Sequence, residues 1–456
     1  MLKTPTITVL GTGYAGLTTA ALLAAAGMKT YVVDTNTDRL ASVRRGKSFF
    51  YEEGLDPLIA AGIQQGTLIP TSFYKASVPQ SDIVISAVGT PDNPDGSSNL
   101  AYVFAAAKEA AQHMQPHAVY VQKSTVPVGT GQKVRAIFDT AGITNAYVSN
   151  PEFLRESTAL QDSLWFDRIV VGGSDRAALD QVVGVYRTIE AARETIARTA
   201  GIAAPATPPE GTYTYVNLES AELIKVVSNT FLALKISFAN SVALLADKAG
   251  ADVTEVFDAV GADRRIGRAF FNAGRGYGGG CIPKDVSGLI TAGLEQGVDL
   301  PIMRAVQEVN DAMPGYIIEK TQLALGGSLQ GKRISVLGLS FKAGTSDCRR
   351  SSAITIANTL AERGAHVHAY DPQSNAEAKP LLHKAVHIAK DTHAALDGAD
   401  AVIVATDWPE FISLPAADYA KAMYGTVFID AMNRFTIADI IGAGLQYVGV
   451  GRGAAA

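Results

Sequence analysis

Within its first thirty-four residues the chain runs through a pattern that leaves few folds open. Residues 6–10 (Thr-Ile-Thr-Val-Leu) have the composition of a buried strand and lead straight into Gly11-Thr12-Gly13-Tyr14-Ala15-Gly16. An Ala/Leu-rich stretch to about Ala26 then reads as a helix ended by Gly27, and residues 30–33 read as a second strand closing on Asp34. Strand, glycine turn, helix, strand and acid, in that order, form the βαβ unit of a parallel, doubly wound sheet. The glycines permit a tight turn and bring a pyrophosphate close to the helix N-terminus, where unpaired N–H groups and the dipole favour phosphate. Asp34 is placed to accept hydrogen bonds from a ribose diol and would repel a 2′-phosphate, so NAD is expected rather than NADP. Six residues alone would fit a glycine turn that binds nothing. The flanking strands and the acid decide for a dinucleotide.

Further α/β units follow. Residues 83–88 read as a strand ending in Gly89-Thr90-Pro91, residues 119–122 as one running into Lys123-Ser124-Thr125-Val126-Pro127, and residues 147–149 and 168–171 as two more. Loops after such strands line the ligand crevice of an open parallel sheet, although hydroxyls and carboxylates there often only cap and turn. Residues 191–211, rich in Ala, Pro and Thr, read as a helix end and a surface linker with no chemistry. A long helix free of Pro and Gly is expected over residues 218–248, with Leu223, Val227, Phe231, Leu234 and Phe238 at helical spacing. Between two sheet domains such a helix would form a spine and a dimer interface. Lys225 and Asn229, four apart, share one face of it, which for such a pair is ordinarily a solvated one. More helix follows over residues 252–260.

From residue 333 the strand-and-turn signature returns, with strands at 333–337, 366–370, 401–405 and 427–430. This second turn lacks GxGxxG and carries Lys342 instead, which points to a different phosphate-bearing ligand. The expected fold is α/β, two Rossmann-like doubly wound domains joined by a long central helix. The boundaries fall at 1–212 for an NAD-binding domain, 213–325 for a central helical domain, and 326–456 for a second nucleotide-type domain. Two nucleotide-type domains imply a reaction between two nucleotides, one being NAD.

A formal charge of −5 without a basic stripe argues against a nucleic-acid partner, and two cysteines fit a reducing compartment. The apolar first thirty residues are broken by glycines and continue like folded protein, so no signal peptide is expected. No uninterrupted apolar run looks long enough for a bilayer, so a soluble, cytoplasmic protein without a membrane or metal site is expected.

One stretch concentrates reactive groups. In Gly276-Tyr277-Gly278-Gly279-Gly280-Cys281-Ile282-Pro283-Lys284-Asp285, a thiol, an amine and a carboxylate follow glycines that would let a ligand approach the backbone. A lone intracellular cysteine is ordinarily a small buried hydrophobe, the plain alternative for Cys281, while Cys348 reads as incidental. The neighbours of Cys281 argue for reactivity, since a lysine and a helix N-terminus both lower a thiol pKa.

Seven stretches (residues 11–17, 123–130, 150–156, 222–237, 263–267, 276–285 and 338–351) resemble, in order and across nearly the whole chain, the UDP-glucose/GDP-mannose dehydrogenase family. Members of that family oxidise a sugar-nucleotide primary alcohol through the aldehyde to the acid, using two NAD⁺, and are commonly dimers or larger. The resemblance implies Cys281 as the nucleophile that captures the aldehyde, with Lys225, Asn229 and Asp285 as the polar cluster around the reacting carbon. It implies Thr125 and Glu156 near the nicotinamide and the catalytic water. The NAD contacts implied are Gly11, Gly13, Tyr14, Ala15, Gly16, Asp34, Arg39, Thr90, Thr125, Glu156, Lys284 and Arg349. Sugar-nucleotide contacts fall on Glu152, Phe153, Leu154, Arg155, Lys225, Asn229, Phe270, Phe271, Asn272, Ala273, Gly274, Gly278 and Lys342. Arg265 matches an arginine that reaches a neighbouring subunit's substrate.

The chemistry asks for the same groups. An alcohol that releases hydride must lose its proton, an aldehyde must first be made tetrahedral by a nucleophile, and an ammonium or amide stabilises the oxyanion. Glu152 and Glu156, expected on one helical turn, would face one side and position water. UDP-glucose is the substrate implied, with GDP-mannose and UDP-N-acetylmannosamine open and a non-catalytic sugar-nucleotide binder as the alternative of another class. Three places depart from the family pattern: Ser157 where glycine is common, Ser346–Ser352 with one acid fewer and an added arginine, and Asp430-Ala431-Met432-Asn433.

Overall fold

The structure, a computed structural model, describes residues 4–453 and divides into two compact units, one up to Ser228 and one from Asn229. The first is built on eight strands: β1 (Ile7–Leu10), β2 (Thr30–Val33), β3 (Leu68–Thr71), β4 (Ile83–Ser86), β5 (Val119–Gln122), β6 (Tyr147–Ser149), β7 (Arg168–Gly172) and β8 (Thr212–Val216). Their order is β3-β2-β1-β4-β5-β6-β7-β8, parallel throughout except where β6 meets β7. β1, β2, β4 and β5 are buried at every residue, as strands covered on both faces must be. The strand order reverses between β1 and β4, which opens the ligand crevice at the C-terminal ends of these two strands.

The sequence shows the inner strands and hides the edges. β3 contains Pro70, which an edge strand tolerates and a central one does not, and β8 is only half-buried on the opposite edge. The linker expected at 191–211 resolves into the end of the helix Arg176–Ala200, closed by a left-handed Gly201, and a loop running to β8.

The second unit holds the helices Val253–Gly261, Ile282–Glu295 and Pro301–Ala324 and a six-stranded parallel sheet. Its strands are β9 (Arg333–Leu337), β10 (His366–Tyr370), β11 (His387–Ile388), β12 (Ala401–Val404), β13 (Val427–Asp430) and β14 (Gln446–Gly449), in the order β11-β10-β9-β12-β13-β14. Both sheets use one turn. Gly11 (φ +95°) follows β1 and donates its N–H to Val33 O at 2.7 Å; Gly338 (φ +97°) follows β9 and donates to Tyr370 O at 2.8 Å.

The long helix runs Leu218–Ala249. By length and composition it would cross a bilayer, contrary to the expectation of no such segment, because its few charges are spread through many apolar residues. It behaves instead as a packed protein helix: Glu222, Lys225, Asn229 and Asn240 are buried polar residues on it, and Ala221, Ala233, Ala239, Ala243 and Ala246 are buried alanines. The apolar residues at helical spacing face outward, with Phe231 57% and Phe238 52% exposed, while Leu234 packs beside Ala233.

Candidate active site

In the first unit the glycine turn separates two reasons for having no side chain. A Cβ on Gly11 would meet Ala87 O at 2.8 Å and one on Gly16 would meet Gly11 O at 2.1 Å, so these two are required by the fold. A Cβ on Gly13 would meet nothing within 4 Å, and its φ of −58° suits any residue. Space left open over the backbone at a helix N-terminus is what a pyrophosphate needs. Asp34 Oδ2 accepts from Thr12 N at 2.8 Å and from the Thr12 hydroxyl, while Oδ1 accepts from Asn36 N at 2.8 Å. These bonds orient the carboxylate and leave lone pairs for a ribose diol. The residues present therefore fit NAD.

Other residues expected at the cofactor divide into two groups. Ala15 and Thr90 are half-buried beside the turn and after β4, whereas the exposed Arg39 lays its guanidinium over the Phe49 ring at 4.8 Å. The Tyr14 hydroxyl donates to the buried Glu52 carboxylate and accepts from Ser157 N at 2.9 Å; Glu52 also accepts from Ala159 N at 2.7 Å. Burial raises the Tyr14 hydroxyl and the Glu52 carboxyl above their ordinary values. Glu52 carried no signal in the sequence; it is one acid after three aromatics.

The segment holding Glu152 and Glu156 is not the helical turn expected. Residues 151–155 are irregular, because the Glu152 carboxylate accepts from Leu154 N at 2.6 Å and Ser157 sits at φ +74°. That is the left-handed region where glycine is at home, which gives a physical reason for the glycine common there and leaves Ser157 strained by roughly 1 kcal/mol. Glu152 Oε1 lies 3.4 Å from Lys225 Nζ; Lys225 is buried and Glu152 half-buried. The Phe153 ring receives Arg168 at 3.9 Å, Leu154 is half-buried, and Arg155 is exposed and paired with Asp162 at 2.5 Å. Thr125 is half-buried in the loop after β5, whose Ser124 hydroxyl donates to Val88 O at 2.7 Å. Gly129 N and Gly131 N both donate to the buried Glu222 carboxylate at 2.7 Å. Glu222 was not singled out from the sequence, although its place one turn before Lys225 was a usable signal.

In the second unit Cys281 is exposed and caps the helix Ile282–Glu295, with Pro283 in its first turn. One turn on, Asp285 is 1% exposed, and its carboxylate takes Asn229 Nδ2 at 2.5 Å and Lys284 Nζ at 2.7 Å. The other thiol, Cys348, is buried and pushed up to about 11 by that burial. Of the two thiols, Cys281 is the one that is exposed and stands at a helix N-terminus.

What approaches the glycines before Cys281 is protein. A Cβ on Gly278 would meet Arg350 O at 2.5 Å, one on Gly279 the Phe341 ring at 2.8 Å, and one on Gly280 the Arg349 guanidinium at 2.3 Å. Gly274 is packed equally tightly against Ala431 O, at 2.6 Å from its would-be Cβ. Arg275, fully buried, donates to Ser340 O, Phe341 O, Thr406 Oγ1 and Ser352 Oγ at 2.7–3.1 Å and so fixes this loop to the ends of β9 and β12. Burial lowers Arg275 only to about 10, so it stays charged.

Phe271 stacks on Phe257 at 4.8 Å in the core, Ala273 is buried, and Phe270 is half-buried at φ +67°. Asn272 is exposed and accepts from Arg268 at 2.9 Å; Arg265 is exposed and paired with Asp263 at 2.6 Å. Lys342 is half-buried with its ammonium 5.7 Å from the Phe341 ring, and Arg349 pairs with Asp347 at 2.6 Å. Among the described residues no group of three or more His, Cys, Asp or Glu could hold a metal ion.

The acid after β10 shows why the second sheet does not repeat the first site. Asp371 Oδ2 accepts from Leu339 N, Ser340 N, Ser340 Oγ and Trp408 Nε1, and Oδ1 from Gln373 N and Ser374 N, all at 2.8–3.0 Å. A carboxylate has about four lone-pair sites, so none remains for a ribose.

An open glycine turn with an oriented ribose acid in one doubly wound unit, and a second unit with its own parallel sheet and an exposed thiol at a helix N-terminus, fit the class of NAD-dependent dehydrogenases. The chain belongs to the UDP-glucose/GDP-mannose dehydrogenase family: the family's NAD binding domain matches residues 5–190, its central domain 219–312 and its UDP binding domain 335–437. It is 38% identical to UDP-glucose 6-dehydrogenase TuaD of Bacillus subtilis over 98% of this chain and 93% of that one. It is 36% identical to UDP-glucose 6-dehydrogenase of Rhizobium meliloti over 98% and 99%. A UDP-glucose dehydrogenase structure from Pyrobaculum islandicum superposes with a TM-score of 0.87 at 36% identity, covering 99% of both chains. A UDP-D-ManNAc dehydrogenase structure from Pyrococcus horikoshii gives 0.83 at 25% identity, covering 98% of this chain and 99% of that one. This chain is an NAD-dependent oxidoreductase of that family.

Proposed function

We propose that the enzyme oxidises the primary alcohol of UDP-glucose to the carboxylate in two successive two-electron steps, with Cys281 holding the substrate between them. The observation that carries this reading is the pairing of an exposed Cys281 at a helix N-terminus with Asp285 one turn later, buried between Asn229 and Lys284. Bound NAD accepts a hydride in each oxidation. The Cys281 thiolate adds to the aldehyde carbon, forming a C–S bond and a tetrahedral thiohemiacetal that, unlike the aldehyde, can lose hydride. The resulting thioester is hydrolysed by water, which frees the thiol and releases the acid. Lys225 and Asn229, a turn apart on the long helix, stabilise the oxyanion, while Asp285 orients Asn229 and Lys284. Glu156, Glu152 and Thr125 handle the water and its proton.

UDP-glucose rather than another sugar nucleotide is favoured because the relatives at 36–38% identity carry that substrate in their names, while the UDP-D-ManNAc enzyme stands at 25%. The working partition remains a cofactor domain (1–212), a helical domain (213–325) and a sugar-nucleotide domain (326–456). A homodimer fits the outward apolar residues of the long helix and the exposed Arg265. A cytoplasmic setting fits two free cysteines.

The test is product stoichiometry across a panel of sugar nucleotides. The wild-type enzyme should yield two NADH per UDP-glucose, and Cys281→Ser should yield no acid at a wild-type rate. Undiminished acid from Cys281→Ser would sink the thioester; faster turnover of GDP-mannose or UDP-N-acetylmannosamine would move the substrate.

A further inference from the structure

We propose that Glu222 is a positioning residue: from the first turns of the long helix its carboxylate holds the loop that carries Thr125, so the helix presenting Lys225 also sets that loop. The inference rests on the reading of Thr125 and Lys225 as residues of the reaction, and it adds a residue with no direct part in the chemistry.

The geometry is specific. Gly129, at φ +88°, caps the helix Thr130–Thr140, and its N–H and that of Gly131 converge on the two oxygens of one carboxylate, each at 2.7 Å. A helix N-terminus leaves such N–H groups unpaired, and a carboxylate there gains from both the hydrogen bonds and the dipole. Glu222 is 2% exposed, so water cannot substitute for it. The contact is also built sterically: a Cβ on Gly131 would meet Leu218 Cδ2 at 2.7 Å and Tyr147 at 2.8 Å, so glycine lets this helix end reach the start of the long helix without displacing either side chain. At its other end the loop is tied to the loop after β4 through Ser124 and Val88. One turn beyond Glu222, Lys225 meets Glu152 at 3.4 Å. Two neighbouring positions on one helix thus govern the Thr125 loop and the segment that leads to Glu156.

Two short bonds from backbone donors favour the ionised acid, since protonation turns one oxygen into a hydroxyl that accepts only weakly. Burial raises the Glu222 carboxyl to about 7. The other titratable groups that face it are Glu219, on its own helix and bonded to Gln132 at 2.8 Å, and Tyr147 of β6; the helix Thr130–Thr140 offers it backbone N–H groups.

Glu222→Gln keeps the size and removes the charge, placing an amide N–H₂ against one backbone N–H. In that variant kcat should fall about tenfold to a hundredfold. NAD affinity, read by fluorescence quenching, should fall by less than kcat does, because the hydrogen bonds of Glu222 go to Gly129 and Gly131 and leave the Gly11–Gly16 turn and Asp34 as they are. The wild-type rate should also fall below pH ~7 as Glu222 takes a proton, and this acid limb should be missing in Glu222→Gln. If the variant does not fold, amide exchange on the wild-type enzyme carries the test: corrected protection at Gly129 and Gly131 should drop as pH falls from about 8 to about 6. A wild-type kcat and pH profile in Glu222→Gln, or protection at those amides that ignores pH, overturns the inference. Thr125→Ala separates it from the reading beneath: a wild-type rate there removes the loop's role and the inference with it. A slow Thr125→Ala beside an unaffected Glu222→Gln removes the inference alone.

Discussion

Carboxylates at the sites of this enzyme are told apart by who donates to them. Asp34 keeps lone pairs that a ribose diol could use; Asp371 spends all of its own inside the second sheet; Glu222 gives both oxygens to one loop. The cost of that last arrangement is measurable. Because burial lifts the Glu222 carboxyl from 4.5 to about 7, the folded chain holds its proton more tightly than the unfolded chain does. Over that window the native state binds more protons, so the contribution of Glu222 to stability falls as pH rises from about 4.5 to about 7 and is flat above. The shift corresponds to about 3 kcal/mol. Glu222→Gln does not titrate, so the stability of wild type relative to the variant, from urea unfolding, should decline by up to that amount between about pH 4 and pH 8. A difference independent of pH would show that the carboxyl titrates normally.

At the scale of elements, the long helix carries the least expected behaviour. Its spacing of Leu223, Val227, Phe231 and Phe238 reads as a stripe, and a stripe normally means core; here Phe231, Phe238 and Leu245, seven residues apart, are each more than half exposed. The alanines do the packing because close helix contact favours small residues, and periodicity cannot say which of two apolar faces is turned inward. A second copy of the chain is the proposed cover. Phe231→Glu should leave the monomer folded and weaken the dimer at least about a hundredfold, read by sedimentation over a concentration series; an unchanged dimer would place the interface elsewhere. The same limit explains what the sequence could and could not disclose. The inner strands, the glycine turn and the cysteine helix are local patterns and were legible. Edge strands β3 and β8, the irregular backbone at 151–155, and the bonds of Glu52, Glu222 and Arg275 depend on partners far along the chain, and no local spacing encodes them.

For the whole molecule, one turn has been used twice with different outcomes. Gly11 and Gly338 take the same left-handed conformation after equivalent central strands, yet after Gly338 the chain places Leu339 and Ser340 on Asp371 and closes the ribose position. Each unit should therefore answer to its own nucleotide, which Gly13→Ala can test because a Cβ there meets nothing and its φ is ordinary. The variant should keep its stability within about 0.5 kcal/mol, as for substitutions that touch no packed group. It should lose NAD affinity at least about tenfold, because the methyl occupies the approach of the pyrophosphate. Hydrogen exchange reads both at once. In the wild type NAD should protect the Gly11–Gly16 turn, a UDP-sugar should protect the segment after β9, and Gly13→Ala should erase only the first effect. Protection of the Gly338 turn by NAD, or full NAD protection in Gly13→Ala, would mean that open space over a glycine is not what admits the dinucleotide here.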